Sequence, residues 1–427
     1  MSMSNFTNLS ITLTKKLSSV EIKNGGIYFT PQSISRKNIE IIKQIVDSSN
    51  DSSNDSNTSI NIKTILEPSC GSCEYINILK DEFKDANIVG IEYNKTIYES
   101  IKDLYDKKSN ITIKNDDYLN YNNLDEKYDL IIGNPPYYVM KKEDVLSDYQ
   151  DYFDGRPNIF IIFIIHSLSK LTTNGILSFI LPSSFINCLY YDKLRKHIYN
   201  NYKIIDITIC NDDTHKYLDT QQQTIMFIIQ NINSTTNSNS NTNDAFVLLN
   251  NNYTIFNTKE NIIKLKALYE GTENTLDSLG FNVNIGNVVW NQCKDILTND
   301  DTKTRLIYNS DIINQTLSLK NYKNEQKKNY INKEGNNNPL LVLNRGYGKG
   351  QYKLDYCLIN IEKKYLIENH LICIKHTTET NKEKLLELYD KIIKSFNNPK
   401  TQEFINIYVG NAAINTMELK YILPIYL

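Results

Sequence analysis

Short apolar runs alternate with amphipathic segments through the first half of the chain. Apolar residues at helical intervals predict helices at residues 33–46 and 158–171, and a third helix that ends near residue 80. Strands are predicted at seven apolar runs, residues 60–66, 87–91, 110–114, 129–133, 176–181, 203–210 and 224–230. This alternation is typical of α/β proteins, so we expect a mostly parallel sheet of about seven strands closed by a hairpin.

The pattern changes in the second half of the chain. A chain of 427 residues exceeds the size of one usual hydrophobic core, so two domains are expected, at residues 1–256 and 257–427. The first should end in an edge strand at 245–256, and an amphipathic helix is predicted at 258–269. Beyond these, short apolar runs and a helix at 377–397 indicate a smaller α+β domain.

Composition adds limits to this picture. Two polar tracts, at about 47–59 and 231–244, cannot bury apolar area and are predicted to be disordered-looking insertions. No apolar run approaches the roughly 20 residues that span a bilayer, and no secretory signal is present, so we expect an intracellular, cytoplasmic protein. Cys70 and Cys73 have no second Cys or His pair nearby, which predicts reduced thiols and no metal site.

The candidate chemistry is concentrated at the end of the fourth predicted strand. The apolar run stops at Gly133 and is followed by Asn134, Pro135, Pro136 and Tyr137. Open α/β sheets bind their ligands at the carboxyl ends of strands. A proline-rich turn without a catalytic role is the alternative for these four residues alone, so the neighbouring motifs decide.

Three other segments carry ligand-binding features in the same domain. Thr30 and Pro31 form a plausible helix start that leaves free N–H groups for an anion. A small-residue turn from Glu67 to Gly71 follows the first strand, and Glu92 ends the second strand at the offset of a ribose-binding acid. Each feature is weak alone, and their order along the chain gives them weight.

This order of motifs resembles the gamma class of N6-adenine DNA methyltransferases of the type II restriction-modification kind, over roughly residues 25–230. The resemblance implies a Rossmann-like, seven-stranded domain that binds S-adenosylmethionine, followed by a target-recognition domain. It also implies double-stranded DNA as the substrate, a monomer on DNA, no membrane and no metal, and it allows a separate cognate restriction endonuclease. The abundance of Asn, Ile, Lys and Tyr suggests an AT-rich bacterium or a large DNA virus as the source.

The resemblance also implies roles for individual residues. Catalysis is assigned to Asn134, Pro135, Pro136 and Tyr137, and stacking on the substrate base to Tyr137 and Tyr217, with His215 as a competitor. Cofactor binding is assigned to Thr30, Glu67, Pro68, Cys70, Gly71, Glu92, Asp117 and Tyr118, with Asp116 as a competitor of Asp117. The sequence departs from the family pattern at Cys73, where a second glycine is usual, and this weakens the motif.

A basic stretch in the second domain offers a DNA-binding surface despite a net charge of −2. Residues 316–353 contain eight basic and two acidic residues, a local charge of +6, with tyrosines between them. Phosphate contacts depend on such local charge rather than on the total. The predicted DNA-binding residues are Lys320, Lys323, Lys327, Lys328, Arg345 and Lys349, and a solvated lysine-rich loop is the alternative.

Other functions stay open at this stage. RNA amino-methyltransferases and protein-glutamine methyltransferases share the catalytic loop, whereas N4-cytosine enzymes usually have Ser at position 134. A fused restriction endonuclease and an inactive DNA-binding module are less favoured, because we find no nuclease core and the catalytic loop is intact. The glycines at 346–350 lack the spacing of a phosphate loop, which argues against an NTPase.

Overall fold

The computed structural model describes residues 5–52, 60–121, 126–210, 223–232, 242–322, 327–346, 352–409 and 414–427. The chain divides into two compact units. The first, here called the catalytic unit, comprises Met1–Leu249 and Tyr253–Ile262. The second, here called the C-terminal unit, comprises Asn250–Asn252 and Ile263–Leu427.

A seven-stranded sheet forms the centre of the catalytic unit. Its strands are Thr64–Glu67 (β1), Asn87–Ile91 (β2), Ile111–Lys114 (β3), Tyr128–Gly133 (β4), Leu171–Pro182 (β5), Tyr202–Cys210 (β6) and Thr224–Asn231 (β7). The order across the sheet is β3-β2-β1-β4-β5-β7-β6. The pairs from β3 to β5 are parallel, and β7 runs antiparallel to both β5 and β6. The predicted fold class is therefore confirmed.

Helices pack on both faces of this sheet. They are Asn8–Lys16 (α1), Ser19–Gly25 (α2), Gln32–Ser52 (α3), Glu74–Glu82 (α4), Lys95–Ile101 (α5), Ile159–Ser169 (α6) and Asp192–Asn201 (α7). A further helix, Lys259–Tyr269 (α8), begins in the catalytic unit and continues into the C-terminal unit after Ile262. Because strand side chains alternate between faces, Leu66 and Ile131 join the core that contains α6. Their neighbours Ile65 and Ile132 join the core that contains α3 and α4.

Local structure differs from the sequence prediction at the polar tracts. Residues 47–52 continue α3, where the Ser49 hydroxyl donates to the carbonyl of Val46 at 2.7 Å, so this part is helix rather than an insertion. Residues 53–59 lie outside the described residues. In the second tract Asn231 ends β7 and Thr242–Ala245 forms a 3-10 turn, so the prediction of a continuous loop was wrong at both ends.

Three other predictions need correction. Residues 245–256 form two strands, Val247–Asn250 (β8) and Tyr253–Phe256 (β9), which pair with each other instead of extending the large sheet. Asn251 and Asn252 both have positive φ, as a tight two-residue hairpin turn requires. Helices α1 and α2 were not predicted, and the helix predicted at 377–397 begins only at Lys382.

The C-terminal unit contains two small four-stranded sheets. Its strands are Phe281–Ile285 (β10), Leu297–Thr298 (β11), Thr304–Ile307 (β12), Ile312–Ile313 (β13), Thr316–Leu317 (β14), Tyr330–Ile331 (β15), Leu340–Asn344 (β16), Tyr356–Ile359 (β17), Tyr365–Ile367 (β18) and Leu371–His376 (β19). The sheets run β10-β19-β16-β17 and β11-β15-β12-β18, while β13 and β14 pair separately. The helices are Lys382–Phe396 (α9), Pro399–Tyr408 (α10) and Thr416–Tyr421 (α11). None of the described helices is long and apolar enough to cross a membrane.

Candidate active site

A cavity of about 420 Å³ lies at the carboxyl ends of the first four strands. Its volume falls in the range of about 300–1,000 Å³ that is typical of small-molecule sites. Each strand supplies residues to the wall: Pro68, Ser69 and Gly71 after β1, Glu92 and Tyr93 after β2, Asp117 and Tyr118 after β3, and Asn134, Pro136 and Tyr138 after β4. The cavity therefore occupies the place that the sheet topology favours for a ligand.

Glu92 is the buried acid of this wall. Its carboxylate accepts hydrogen bonds from the backbone N–H groups of Gly71 at 2.9 Å and Asn94 at 2.7 Å. Burial raises the pKa of Glu92 to about 7, although the two hydrogen bonds from Asn94 and Gly71 oppose this shift. Two backbone N–H groups therefore fix the position of this carboxylate at the cavity.

Asp117 and Tyr118 also meet the cavity. Asp117 caps a short 3-10 turn by accepting from the N–H of Leu119 at 3.1 Å, and its second oxygen accepts from Asn120 at 2.9 Å. The Tyr118 ring is almost fully buried, and its hydroxyl pairs with Ser167 at 2.8 Å. Asp116, the competitor of Asp117, is exposed and does not line the cavity.

Three predicted cofactor residues lie outside the cavity wall. Thr30, Glu67 and Cys70 are buried and line no part of it. Burial raises the pKa of Glu67 well above its usual range, and its oxygen Oε2 has no hydrogen-bond partner among the described residues. The first turn of α3 is also not free, because the N–H of Ser33 donates to Asn5 Oδ1 at 3.0 Å. Thr30, Glu67 and Cys70 therefore belong to the buried interior of the catalytic unit and not to the cavity wall.

The amide of Asn134 has a defined orientation. Its nitrogen donates to the backbone carbonyl of Tyr28 at 3.0 Å, in the segment between α2 and α3. Its oxygen accepts a hydrogen bond from the Tyr137 hydroxyl at 2.5 Å. The carbonyl partner fixes which end of the amide is the donor, so Oδ1 is the acceptor of this side chain.

The Tyr137 ring is not in the position that its predicted stacking on the substrate base requires. Its hydroxyl also lies 2.7 Å from the carbonyl oxygen of Ile180, so its one hydrogen is shared between that carbonyl and Asn134 Oδ1. Its ring packs edge-on against Phe160. Tyr137 does not line the cavity, whereas the next residue, Tyr138, does. Stacking of the Tyr137 ring on a base would require this shared hydrogen bond to break. The structure therefore brings together Asn134 and Pro136 at the cavity, with Tyr137 packed beside them.

Several contacts of the site were missed from the sequence. Tyr28 acts through its backbone carbonyl, which leaves no mark on side-chain chemistry. Ser69 lines the cavity beside Gly71 and was treated only as a turn residue. Tyr149 also lines the cavity, and its hydroxyl is hydrogen-bonded to Nδ1 of the buried His166 at 2.7 Å. Burial lowers the pKa of His166 to about 4, so this partner is neutral at physiological pH.

The predicted DNA-binding residues of the C-terminal unit differ in exposure. Lys320 and Arg345 are exposed and Lys328 is partly exposed. Lys327 instead lies over the rings of Tyr308 and Tyr322, with its nitrogen 4.1 and 4.5 Å from their centroids. Burial lowers the pKa of Lys327. The residues Lys323, Lys349, His215 and Tyr217 lie outside the described part of the chain.

Comparison with known protein families agrees with the geometry of the catalytic unit. Residues 4–215 match the family described as Eco57I restriction-modification methylase. The chain belongs to this family. Methylases of restriction-modification systems transfer a methyl group from S-adenosylmethionine to DNA, and the chain is accordingly an S-adenosylmethionine-dependent DNA methyltransferase. The expected restriction-modification methylase family and the cofactor are thus confirmed.

Individual relatives of this methylase include viral proteins. The type II methyltransferase M.CvrRI of Paramecium bursaria Chlorella virus XZ-6E is 25% identical over 436 residues, which cover 99% of each chain. The modification methylase CviBIII of Paramecium bursaria Chlorella virus NC1A is 28% identical over 232 residues, 54% of this chain and 56% of the relative. The type IIG restriction endonuclease BpuSI superposes with a TM-score of 0.43 at 10% identity, covering 98% of this chain and 60% of its own.

Proposed function

We propose that this methylase transfers the methyl group to N6 of an adenine that is flipped out of duplex DNA. The observation that carries the proposal is the orientation of the Asn134 amide. Because its nitrogen is bound to the Tyr28 carbonyl at 3.0 Å, only the oxygen can accept from a substrate amino group, with the lone pair that the Tyr137 hydroxyl does not use. An acceptor at the end of β4, beside a cofactor cavity, is what an amino-methyltransferase needs.

The chemistry of adenine explains this need. The lone pair of N6 is delocalised into the ring, so N6 becomes nucleophilic only when its hydrogens are held by acceptors that favour a tetrahedral nitrogen. Asn134 Oδ1 and the Pro135 carbonyl are the proposed acceptors, and the two prolines restrict the backbone that carries the carbonyl. S-adenosylmethionine supplies a methyl group made electrophilic by its sulfonium. The contribution of the protein is placement of the amino nitrogen.

We assign Glu92 and Asp117 to the ribose and the adenine amino group of the cofactor. Both line the cavity of about 420 Å³, and the N–H of Gly71 binds the same carboxylate that would hold the ribose. Pro68 and Tyr118 complete this end of the proposed cofactor site. Thr30, Glu67 and Cys70 keep their proposed link to cofactor binding only as residues that support the turn.

Duplex DNA imposes one more step, because paired N6 is inaccessible. Extrusion of the base costs a few kcal/mol, which stacking on aromatic rings offsets in part. Tyr137 and Tyr217 are the proposed stacking residues. For Tyr137, the ring must leave the Ile180 carbonyl and Asn134 before it can stack.

We assign target recognition and phosphate contact to the C-terminal unit. The exposed Lys320 and Arg345 and the partly exposed Lys328 support this assignment. Lys327 supports it less, since its charge lies over two tyrosine rings. We further propose action as a monomer on DNA, with a separate cognate restriction endonuclease as a partner in the cell.

The test is the identity of the methylated base. The full-length protein is expressed in a host that lacks DNA methyltransferases, and plasmid DNA is digested to nucleosides for mass spectrometry. We expect N6-methyladenine, absent from DNA of cells that express Asn134→Ala. Methylation on N4 of cytosine, or on RNA but not DNA, would contradict the proposal. Long-read sequencing of the same plasmid then gives the recognition site.

A further inference from the structure

A side-chain hydrogen bond joins the cofactor turn to the catalytic loop. The Ser69 hydroxyl donates to the backbone carbonyl of Asn134 at 3.0 Å. Ser69 belongs to the turn after β1 and lines the cavity. The carbonyl that it binds is part of the peptide between Asn134 and Pro135, so the bond restrains the plane that leads to the next carbonyl, that of Pro135.

The segment that ends α2 contacts the same loop. Gly26 follows α2 with φ of +57°, and its N–H closes the helix on the carbonyl of Ile22. A β-carbon at Gly26 would lie 2.5 Å from the backbone nitrogen of Tyr137 and 2.9 Å from its carbonyl carbon and oxygen. Only a residue without a side chain allows this approach, and the positive φ also favours glycine.

We propose that Ser69 and Gly26 are positioning residues for methyl transfer. Ser69 holds the loop through the Asn134 carbonyl, and Gly26 admits the backbone of Tyr137 to close contact. Two residues after Ser69, the same turn binds Glu92 through the N–H of Gly71 at 2.9 Å. One turn therefore holds both the proposed ribose acid and the catalytic loop, and this fixes the distance between the methyl donor and the acceptor nitrogen.

The expected loss of rate in these variants depends on how strongly methyl transfer depends on the positions of the reacting groups. A shift of about 1 Å in a reacting group costs on the order of 10²-fold in rate. Removal of a neutral hydrogen bond alone costs roughly fivefold. The role of both residues rests on the acceptor roles proposed above for Asn134 and Pro135.

The Ser69 test compares three variants of the full-length protein. Methyl transfer from tritiated S-adenosylmethionine to unmethylated duplex DNA is measured for Ser69→Ala, Ser69→Thr and Ser100→Ala. Ser100 is the matched control, because its hydroxyl also donates to a backbone carbonyl, that of Thr96 at 3.0 Å, on α5 and off the cavity wall.

We expect Ser69→Ala to lower kcat by about 5- to 100-fold while the Kd for S-adenosylmethionine changes less than about threefold. Ser69→Thr keeps the hydroxyl and should restore most of the rate, and Ser100→Ala should match the wild type. A wild-type kcat for Ser69→Ala would overturn the inference. So would equal reductions of kcat in Ser69→Ala and Ser69→Thr, because they would show that the hydroxyl is not what matters.

The Gly26 test separates close contact from backbone strain. Gly26→Ala adds a methyl group against Tyr137, whereas Gly271→Ala adds one at φ of +82° with no atom within 4 Å. We expect Gly26→Ala to lower kcat about 100-fold or more with cofactor binding retained, and Gly271→Ala to keep the wild-type rate. Equal rates in the two variants would overturn the role of Gly26. If Gly26→Ala does not fold, the Ser69 series still decides the positioning role of the turn.

Nucleoside analysis of the DNA from these assays tests the proposed adenine substrate separately from the proposed positioning role of Ser69. Methyl groups on cytosine would overturn adenine as the substrate, while the ratio of Ser69→Ala to wild-type rates would still test the placement of the loop. N6-methyladenine together with an unchanged Ser69→Ala rate would leave the proposed function intact and remove only the positioning role.

Discussion

The hydroxyl of Tyr137 donates a hydrogen bond to Asn134 Oδ1 at 2.5 Å, the atom that we assign to the substrate amino group. Tyr137 therefore occupies one of the two lone pairs of this acceptor. The same hydrogen is shared with the Ile180 carbonyl at 2.7 Å, and this shared hydrogen bond holds the ring in its packed position.

Tyr137→Phe should separate the ring from the hydroxyl. The ring remains for stacking while the hydroxyl that holds it in its packed position is gone, so we expect the KM for DNA to fall by about fivefold with kcat within about twofold of wild type. Tyr137→Ala removes stacking worth about 1–3 kcal/mol and should lower kcat/KM for DNA. Steady-state kinetics on a duplex with the identified site measure both. Equal damage in the two variants would mean that the hydroxyl takes part in the reaction.

Asn134→Ala should remove an acceptor that acts on the substrate and not on the cofactor. We expect the single-turnover methylation rate to fall by at least about 10²–10³-fold, the usual effect of removing one preorganised group. Calorimetry should show S-adenosylmethionine affinity within about twofold of wild type. Asn134→Asp keeps an acceptor but lacks the donor to the Tyr28 carbonyl, so its methylation rate should lie between the rates of the wild type and Asn134→Ala. An effect confined to cofactor binding would contradict the role of Asn134.

Glu92 should make cofactor binding depend on pH. Its pKa is raised to about 7, so the carboxylate is mostly protonated at pH 6 and mostly ionised at pH 8. Because the ionised form is the better acceptor for ribose hydroxyls, affinity should rise by about tenfold from pH 6 to pH 8. Glu92→Gln should bind more weakly at pH 8 and lose this dependence. A wild-type affinity that is flat over this window in calorimetry would contradict the role of Glu92.

The Glu92 carboxyl should also make folding stability depend on pH, and this dependence has the opposite sign to that of cofactor affinity. The folded protein retains a proton on Glu92 that the unfolded chain releases above its ordinary pKa of 4.5. The contribution of this site to folding should therefore decrease as pH rises from about 4.5 to 7. The melting temperature of wild type relative to Glu92→Gln should fall over that window. A constant difference would indicate that burial does not shift this carboxyl.

Exposed basic residues of the C-terminal unit should set the salt dependence of DNA binding. We expect neutralisation of Lys320, Lys328 and Arg345 to reduce the slope of log affinity against log salt by roughly 0.9 for each phosphate that is no longer neutralised. Lys391→Gln, an exposed lysine on α9, is the control. Fluorescence anisotropy at several salt concentrations measures the slopes. Slopes that equal the wild type would place the DNA elsewhere.

Lys327 should behave differently from these neighbours. Its ammonium lies over Tyr308 and Tyr322, an arrangement worth about 0.5–2 kcal/mol. Lys327→Ala should therefore lower the denaturant midpoint while the salt slope stays near wild type. A reduced slope with unchanged stability would return Lys327 to the set of phosphate-binding residues.

The sheet and the polar residues at the strand ends could be predicted from sequence because they depend on local signals. Buried parallel strands are apolar throughout, and Glu92 and Asn134 follow directly at their ends. Residues 47–52 were misjudged because Asp, Ser and Asn have low helix propensity, whereas here they extend a helix already formed by the preceding residues of α3.

The remaining features depend on contacts between distant parts of the chain. From the sequence, Lys327 is interpreted as a solvated lysine, because its contact with the Tyr308 ring exists only in the folded chain. Likewise, Tyr137 is interpreted as a stacking residue, because the hydrogen bond of its hydroxyl to the Ile180 carbonyl cannot be foreseen from the sequence. The Tyr28 carbonyl is invisible to any residue pattern, because every residue has one. Ser69 looked like a turn former because its partner lies 65 residues away.

The position of β7 between β5 and β6 limits the order in which strands can join the sheet during synthesis. Among the described strands β6 pairs with β7, which lies later in the sequence, so residues 202–210 leave the ribosome before their neighbour exists. The region that matches the family ends at residue 215, before β7 begins at Thr224. A fragment cut at that boundary would keep every strand-end residue of the cavity and yet carry β6 without a place in the sheet. Nascent chains should therefore gain protection from protease at β6 only after residue 231 has emerged.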